Sequence, residues 1–476
     1  MGKKEGIGLF GLVGMVISGC IGTGAFALTG QLSGVASPGA ILIAWGIVGV
    51  GFIALCLSMV NVVMKRPDLP GIFSFAEEGF GKLAGFMSGW GYWLSAWLGS
   101  IAFATMMMST LGYFIPMFLP GNSLPCVIIA SVVMWALAYL VIRGVESAAF
   151  LNAIVMVCKF GPLVAFFCVA AISFNAGLLT EDFWGNVYNN AVAAANSGED
   201  LTLGGVGAQV TNCFIIMMWC FVGVEGAVVM SGRARKRSDV GKATIGGVIL
   251  LCIVYTLISV LPYGCLPWTE ISQMDYPALL YVFNALVPGF GGAFVAAAII
   301  MSVLGAWLSF TILPVETTAD MAERKLLPAS WGKLNKYGAP QMSIIIVSIC
   351  IQIFLFVVML SSDAYDFAVS MCTVTIMFTW ILAAAYSAKI SIATKDIKNI
   401  ALGVFASAFL AIATLINGWT YLLLVCAGYV PGFVVYVAAL REQGLKVNKG
   451  EKITMAIVGV LAILAVALLA IGVITI

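Results

Sequence analysis

Histidine is absent from all 476 residues, which excludes a histidine-based metal site or catalytic triad. Charge is scarce: 9% of residues are charged against 62% hydrophobic, so the chain is not a soluble globular protein. The 12 cysteines are scattered, mostly inside apolar runs, and none forms a CxxC pair. They read as reduced, buried small residues, with neither a disulfide framework nor a zinc site. No GxxxxGK followed by Ser or Thr occurs, and the basic stretch 233–242 has no phosphate-cradling glycine run, so ATP-driven chemistry is not expected. The longest hydrophilic stretch, 175–202, is too short for the soluble output domain of a receptor-like sensor. Mid-depth carboxylate pairs and metal-ligand spacings are also missing, which argues against a membrane-embedded enzyme. No metal, cofactor or nucleic acid is expected as a partner.

Apolar runs of membrane-crossing length fill the chain instead, each about 18 residues or more. The expected spans are 7–31, 38–64, 83–114, 124–142, 150–174, 205–231, 243–265, 292–321, 342–360, 366–388, 399–416, 419–440 and 453–476, with a short interfacial helix at 73–80. The first span runs past residue 30 without a small-residue cleavage pattern, so a cleaved signal peptide is not expected. All 23 Lys and Arg except Lys159 fall at the N-terminus or in alternate connections. By the positive-inside rule those connections and the N-terminus are cytoplasmic. The opposite connections carry Glu181, Asp182, Glu199, Asp200, Glu270, Asp275, Asp363 and Asp366 and no cation.

Two spans contain breaks. In the first, Ser18-Gly19-Cys20-Ile21-Gly22-Thr23-Gly24 places three glycines in a helix interior, each costing about 1 kcal/mol against alanine. Unwound backbone at membrane depth is tolerated where it lines a cavity or binds something. A half-helix starting near Gly24 would aim its positive end at an anionic group, such as an amino-acid carboxylate, with carbonyls near Gly19 and Cys20 free for an ammonium. The alternative is a glycine-rich packing face. The sixth span contains Trp219-Cys220-Phe221-Val222-Gly223-Val224-Glu225-Gly226. The first span runs inside to outside and the sixth outside to inside. Two broken helices opening two five-helix units of opposite orientation mark an inverted-repeat transporter with its site at the midplane. The expected fold is an all-α polytopic membrane protein with a five-plus-five inverted-repeat architecture and twelve to thirteen spans. The repeats are 7–174 and 205–388, followed by additional helices at 399–476.

Two ionisable groups lie inside apolar spans, Glu225 and Lys159. Each costs about 2.5–3.5 kcal/mol on insertion scales, so each is expected to have a function or a partner. Glu316, Asp320 and Glu323, beside Arg324 and Lys325, read as a solvated vestibule.

The first break, Tyr92–Ser100, Trp219–Ala227 and Gly305-Ala306-Trp307-Leu308-Ser309-Phe310 resemble motifs of the amino acid–polyamine–organocation superfamily. Within it the chain is similar to the basic amino acid/polyamine antiporters. Asp182-Phe183-Trp184-Gly185, the 235–244 stretch and the tail helix are similar to arginine–ornithine antiporters in particular. The resemblance implies exchange of a cationic amino acid for a related product by alternating access. It implies substrate contacts from Ser18, Gly19, Cys20, Gly22, Thr23, Gly24, Ser95, Ala96, Ser100, Trp219, Cys220, Val222 and Phe310. Trp219 would be an outer gate, and Tyr92 and Glu225 an inner one, with Trp380 beside Tyr92. Lys159 would stand where sodium-coupled relatives bind a cation. It also implies a homodimer through the eleventh and twelfth spans, in a lipid bilayer. The chain departs from the arginine carriers, which usually have tryptophan and asparagine at Phe310 and Ser100. Ornithine, lysine, another amino acid or an amine therefore remain open, as does a proton-coupled permease on the same fold, for neutral or aromatic amino acids among others.

Overall fold

A computed structural model of the chain describes residues 7–69, 71–144, 149–195, 203–229, 231, 234–361 and 363–474. Among the described residues the regular structure is helical, apart from one isolated parallel bridge between Ile7 and Ala234. Hydrocarbon leaves little choice, because a helix satisfies its backbone donors and acceptors within one segment.

The first span is α1 (Leu9–Cys20) and α2 (Thr23–Ser33), bent by 44° where Ile21 and Gly22 interrupt it. α3 (Pro38–Lys65) follows, then α4 (Ile72–Phe80), α5 (Lys82–Gly112), α6 (Leu124–Ile142) and α7 (Ala149–Ser173). The stretch read as a loop over 175–202 contains α8 (Ala176–Glu181) and α9 (Asn186–Ala195). The sixth span is α10 (Val206–Trp219) and the single turn α11 (Gly226–Val229), so this break also occurs where the glycines placed it. α12 (Arg237–Val260) is followed by α13 (Trp268–Ile271) and α14 (Ala278–Leu286). Then come α15 (Gly291–Glu323), α16 (Gln341–Val357), α17 (Ala364–Ala393), α18 (Ile397–Asn417), α19 (Trp419–Glu442) and α20 (Lys449–Ala470).

Ten of these helices are long and apolar enough to cross a membrane, and the bent pair makes eleven. Val157–Ser173 and Val206–Trp219 are shorter apolar helices, so among the described residues the count stands at ten or eleven against the twelve to thirteen expected. α12 and α15 run past their expected ends into charged turns, since hydropathy marks where hydrocarbon ends and not where hydrogen bonding ends.

Local chemistry starts several helices. The Ser37 hydroxyl accepts from Ala40 N and Pro38 occupies the first turn of α3. Asn448 and Glu451 form a reciprocal capping box at α20. Burial then sorts the spans. The apolar stretch of α5 is 94% buried against protein and that of α20 only 17%. α5 packs between α15 and α17, where its many glycine, alanine and serine residues allow close approach. The molecule is thus built around α5, and α20 lies at the periphery.

At the charged ends, Asp396 caps α18 through the backbone N–H of Asn399 and pairs with Lys65 of α3 at 2.9 Å. The Asn399 side chain and then Lys65 hold its carboxyl down from the ordinary 3.8 to about 2. A depressed carboxyl stabilises the fold above its unfolded value, and that contribution fades as pH falls through the folded one. Asp396→Ala is therefore expected to lower the melting temperature of the detergent-solubilised protein near neutral pH. The gap from the wild type should close as the pH is taken from about 4 to about 2; a gap constant across that range would remove the carboxylate from the account.

Candidate functional site

α1 stops at Cys20, and its last carbonyls find separate partners. Ile17 O accepts from Ile21 N at 2.9 Å and Cys20 O from Gly22 N at 2.9 Å. Ser18 O accepts from the Lys159 ammonium of α7 at 2.7 Å, and Ser18 Oγ lies 3.4 Å from the same nitrogen. Lys159 is 3% exposed, so the carbonyl and the cation meet largely away from water. On the far side of the break, α2 begins at Thr23 behind Gly22, which has no side chain to cap it.

The second break, from Cys220 to Glu225, is a chain of tight turns: Cys220, Phe221, Val222, Val224 and Gly226 each donate three residues back. Gly223 sits at φ +105°, in the left-handed region. It also touches the first break, because a Cβ there would lie 2.8 Å from Gly19 C and 2.9 Å from Gly19 O. Tyr255 of α12 donates to Cys220 O at 3.0 Å, and the Cys20 thiol to Phe221 O at 3.7 Å. The two interruptions are therefore one joined structure.

Two adjoining cavities open beneath this junction. One, of about 170 Å³, is lined by Gly19, Tyr92, Ser95, Ala96, Val222, Glu225 and Phe310, among others. The other, of about 360 Å³, is lined by Ser18, Lys159 and Ala306 and extends along the N-terminal half of α1 past Gly11 and Gly14. Met15, Gly19, Ser309 and Phe310 border both. Glu225, 1% exposed, has Tyr92 and Trp380 beside its carboxyl. Glu225 Oε2 and Trp380 Nε1 are buried without a hydrogen-bond partner among the described residues.

The remaining expected residues form a closed layer on the α2 side. Trp219 packs against Gly24, where a Cβ would be 3.0 Å from its Cδ1, with Cys220 Sγ at 3.1 Å. Phe103 packs under Gly22 and bridges Trp219 and Phe310 at centroid distances of 6.4 and 4.8 Å. Tyr365 stands beside Thr23 and Trp219, and both the Tyr365 hydroxyl and Thr23 Oγ1 are buried without a partner. Ser100 is fully buried, bonds to Ala96 O at 3.4 Å in its own helix, and lies outside both cavity linings.

Three neighbours escaped the sequence reading. Cys372 of α17 donates to Ser95 O at 3.0 Å and lies 3.1 Å from Ser95 Oγ, though a lone cysteine in an apolar run gives no such signal. Ser309 borders both cavities, and its only signal was its place one residue before Phe310 in the quoted motif. Asp366, read as a loop acid, accepts from Gln31 of α2 at 2.6 Å and from Tyr276 at 3.0 Å, and so ties three elements together beyond Trp219. Of the vestibule acids, Asp320 sits 3.6 Å from Arg324, which also pairs with Glu77 at 3.0 Å.

Residues 7–463 match the family described as amino acid permease. A protein of Latilactobacillus sakei named arginine/ornithine antiporter is 45% identical over 472 residues, which cover 98% of this chain and 97% of that one. An arginine/ornithine antiporter of Pseudomonas aeruginosa is 33% identical, with 97% of each chain covered. An arginine/agmatine antiporter of Chlamydia trachomatis is 32% identical over 97% of this chain and 96% of its own.

The junction yields a direct test. Gly223→Ala combines a left-handed backbone with a clash against backbone, and is expected to destabilise the protein by at least about 1–3 kcal/mol. Gly246→Ala in α12, where a Cβ meets nothing within 4 Å, should be neutral or mildly stabilising. Thermal unfolding of the two variants in the same detergent distinguishes them, and equal melting temperatures would disprove the tight junction.

Proposed function

The chain belongs to the amino acid permease family, and on that premise we propose that this multi-pass membrane protein is an antiporter exchanging a cationic amino acid, arginine first, for a related product such as ornithine. It carries no catalytic residue in this reading. The observation that carries it is the joined pair of broken helices above a cavity containing one carboxylate. Full-length similarity to proteins named arginine/ornithine antiporters supports the choice of substrate class.

The substrate's α-carboxylate binds the amides at the start of α2, and its ammonium binds carbonyls of the unwound backbone. Its cationic side chain lies along Ser95, Ala96 and Phe310, where an aromatic face attracts a cation. Glu225 supplies the compensating charge from below. Lys159 fills the position of a structural cation, holding the end of α1 so that no sodium ion is needed. Trp219, backed by Tyr365 and the Asp366 latch, is the outer gate. Tyr92, Glu225 and Trp380 form the inner gate. Alternation needs only differential affinity for the outward and inward states. The cation-bearing connections lie on the cytoplasmic side of the plasma membrane, with the N-terminus. Residues 7–174 and 205–388 are the two inverted repeats, and 399–476 adds helices of which α18 and α19 form a homodimer contact.

Labelled arginine should enter proteoliposomes preloaded with ornithine, lysine or agmatine and not empty ones. Uptake into empty vesicles, driven by an inward proton gradient, would replace exchange with proton-coupled permeation. Lys159→Ala should slow exchange by about ten- to a hundredfold, the equivalent of one charged hydrogen bond lost. Trp219→Leu should weaken substrate affinity while leaving the melting temperature near that of the wild type; unchanged affinity would remove it from the gate.

A further inference from the structure

Behind α5, on the side away from the substrate cavity, lies a second cavity of about 470 Å³ walled by α5, α16, α17 and α19. Tryptophan dominates it. Trp90 and Trp93 meet at a tilt, 4.4 Å between centroids, Trp93 meets Trp331 edge-on at 6.2 Å, and Trp97 meets Phe354 edge-on at 4.9 Å. Trp331 comes from the connection between α15 and α16, which is pinned by the Ser343 hydroxyl donating to Trp331 O at 2.8 Å. Trp97 sits midway along the 31 residues of α5. The cavity therefore runs from the cation-bearing end of the helices to mid-membrane.

Three observations select the occupant. The volume lies within the range of roughly 300–1,000 Å³ typical of small-molecule sites, but a helix about 10–12 Å across cannot enter. An apolar void at this depth excludes water, and the solute in contact with it is lipid hydrocarbon. The lining is also not purely apolar: Trp93 and Trp97, 3% and 5% exposed, each carry a buried indole N–H without a partner among the described residues. Trp90, by contrast, donates to Gly428 O at 3.0 Å. An ester oxygen at the head of a lipid chain is an acceptor for the shallower of the two unpartnered indoles, Trp93, while Trp97, midway along α5, meets only the chain. In the connection that supplies Trp331, Lys333 lies two residues from it and Lys325 is at the start; both are exposed. Arg324 is already committed to Glu77 and Asp320.

We propose that this cavity is a binding site for one acyl chain of an anionic phospholipid from the leaflet bordering these lysines. The headgroup sits by Lys333 and Lys325 and the chain descends past Trp93 to Trp97. Trp93 and Trp97 alternate along α5 with Tyr92 and Ala96, which line the substrate cavity. A bound chain therefore braces the back of the helix whose front faces the site.

The probe is phosphatidylglycerol with a diazirine near the end of one chain, at low mole fraction in phosphatidylcholine vesicles holding the full-length protein. Photolabelling should concentrate on peptides containing Trp97 and Phe354. Excess unlabelled phosphatidylglycerol, but not extra phosphatidylcholine, should displace it several-fold. Ile353→Trp, at a half-exposed lining position, should fill the slot and abolish the labelling. Equal labelling of the outward face of α20 in the wild type, or equal displacement by phosphatidylcholine, would overturn the proposal whether or not the variant folds.

Discussion

The contact between the Lys159 ammonium and the Ser18 carbonyl is the constraint from which the rest of the site follows. A helix broken in hydrocarbon leaves carbonyls that cannot turn to water, and a buried ammonium is equally costly alone. Each cancels most of the other's penalty. With α1 held at its end, Gly19 can lie against Gly223, and the second break is fixed by the first. A hydrophobic residue at 159 would leave Ser18 O unpaired, and the junction would lose the fixed point that aligns α2 over the cavity.

The site is layered around that junction. Above it, Trp219, Phe103 and Tyr365 close by packing of aromatic rings, and Asp366 adds two directed hydrogen bonds at the outer edge. Below it, the cavities extend along α1 toward the cation-bearing side. The closed layer is mostly apolar contact, which is short-ranged and readily remade. The layer below has buried polar atoms without partners, Glu225 Oε2 and Trp380 Nε1. In the proposed cycle, a cationic substrate supplies donors to that carboxylate while it passes. Both layers hold buried polar atoms without partners among the described residues, Thr23 Oγ1 and the Tyr365 hydroxyl above and Glu225 Oε2 and Trp380 Nε1 below.

α5 joins these parts. Its front residues Tyr92, Ser95 and Ala96 line the cavity, its back tryptophans face the lipid-side void, and it packs between α15 and α17. The departures at Phe310 and Ser100 look different in three dimensions. Phe310 borders both cavities, so under the proposed function the difference from tryptophan falls on the surface offered to a cationic side chain. Ser100 bonds within its own helix away from the cavity linings. A serine there therefore weighs less against arginine than the sequence comparison implied.

The membrane-length helices and the places of their two breaks were determined by the sequence alone. Hydropathy, the alternation of Lys and Arg between connections, and glycines in an apolar run are local properties, each readable within about one helix length. The buried ions Lys159 and Glu225 were legible for the same reason: a charge inside an apolar run is conspicuous wherever it points. The tertiary structure decided what those groups touch. Asp366 lies 335 residues from Gln31 and 90 from Tyr276, and Cys372 lies 277 from Ser95, so neither contact leaves a local trace. Helix faces decided the rest. Adjacent positions send Tyr92 to the cavity beneath the junction and Trp93 to the back, while Ala96 and Ser100, on one face, are separated by a turn of depth. Hydropathy cannot register that rotation in a span apolar all round, because only the packing of the neighbouring helices sets it.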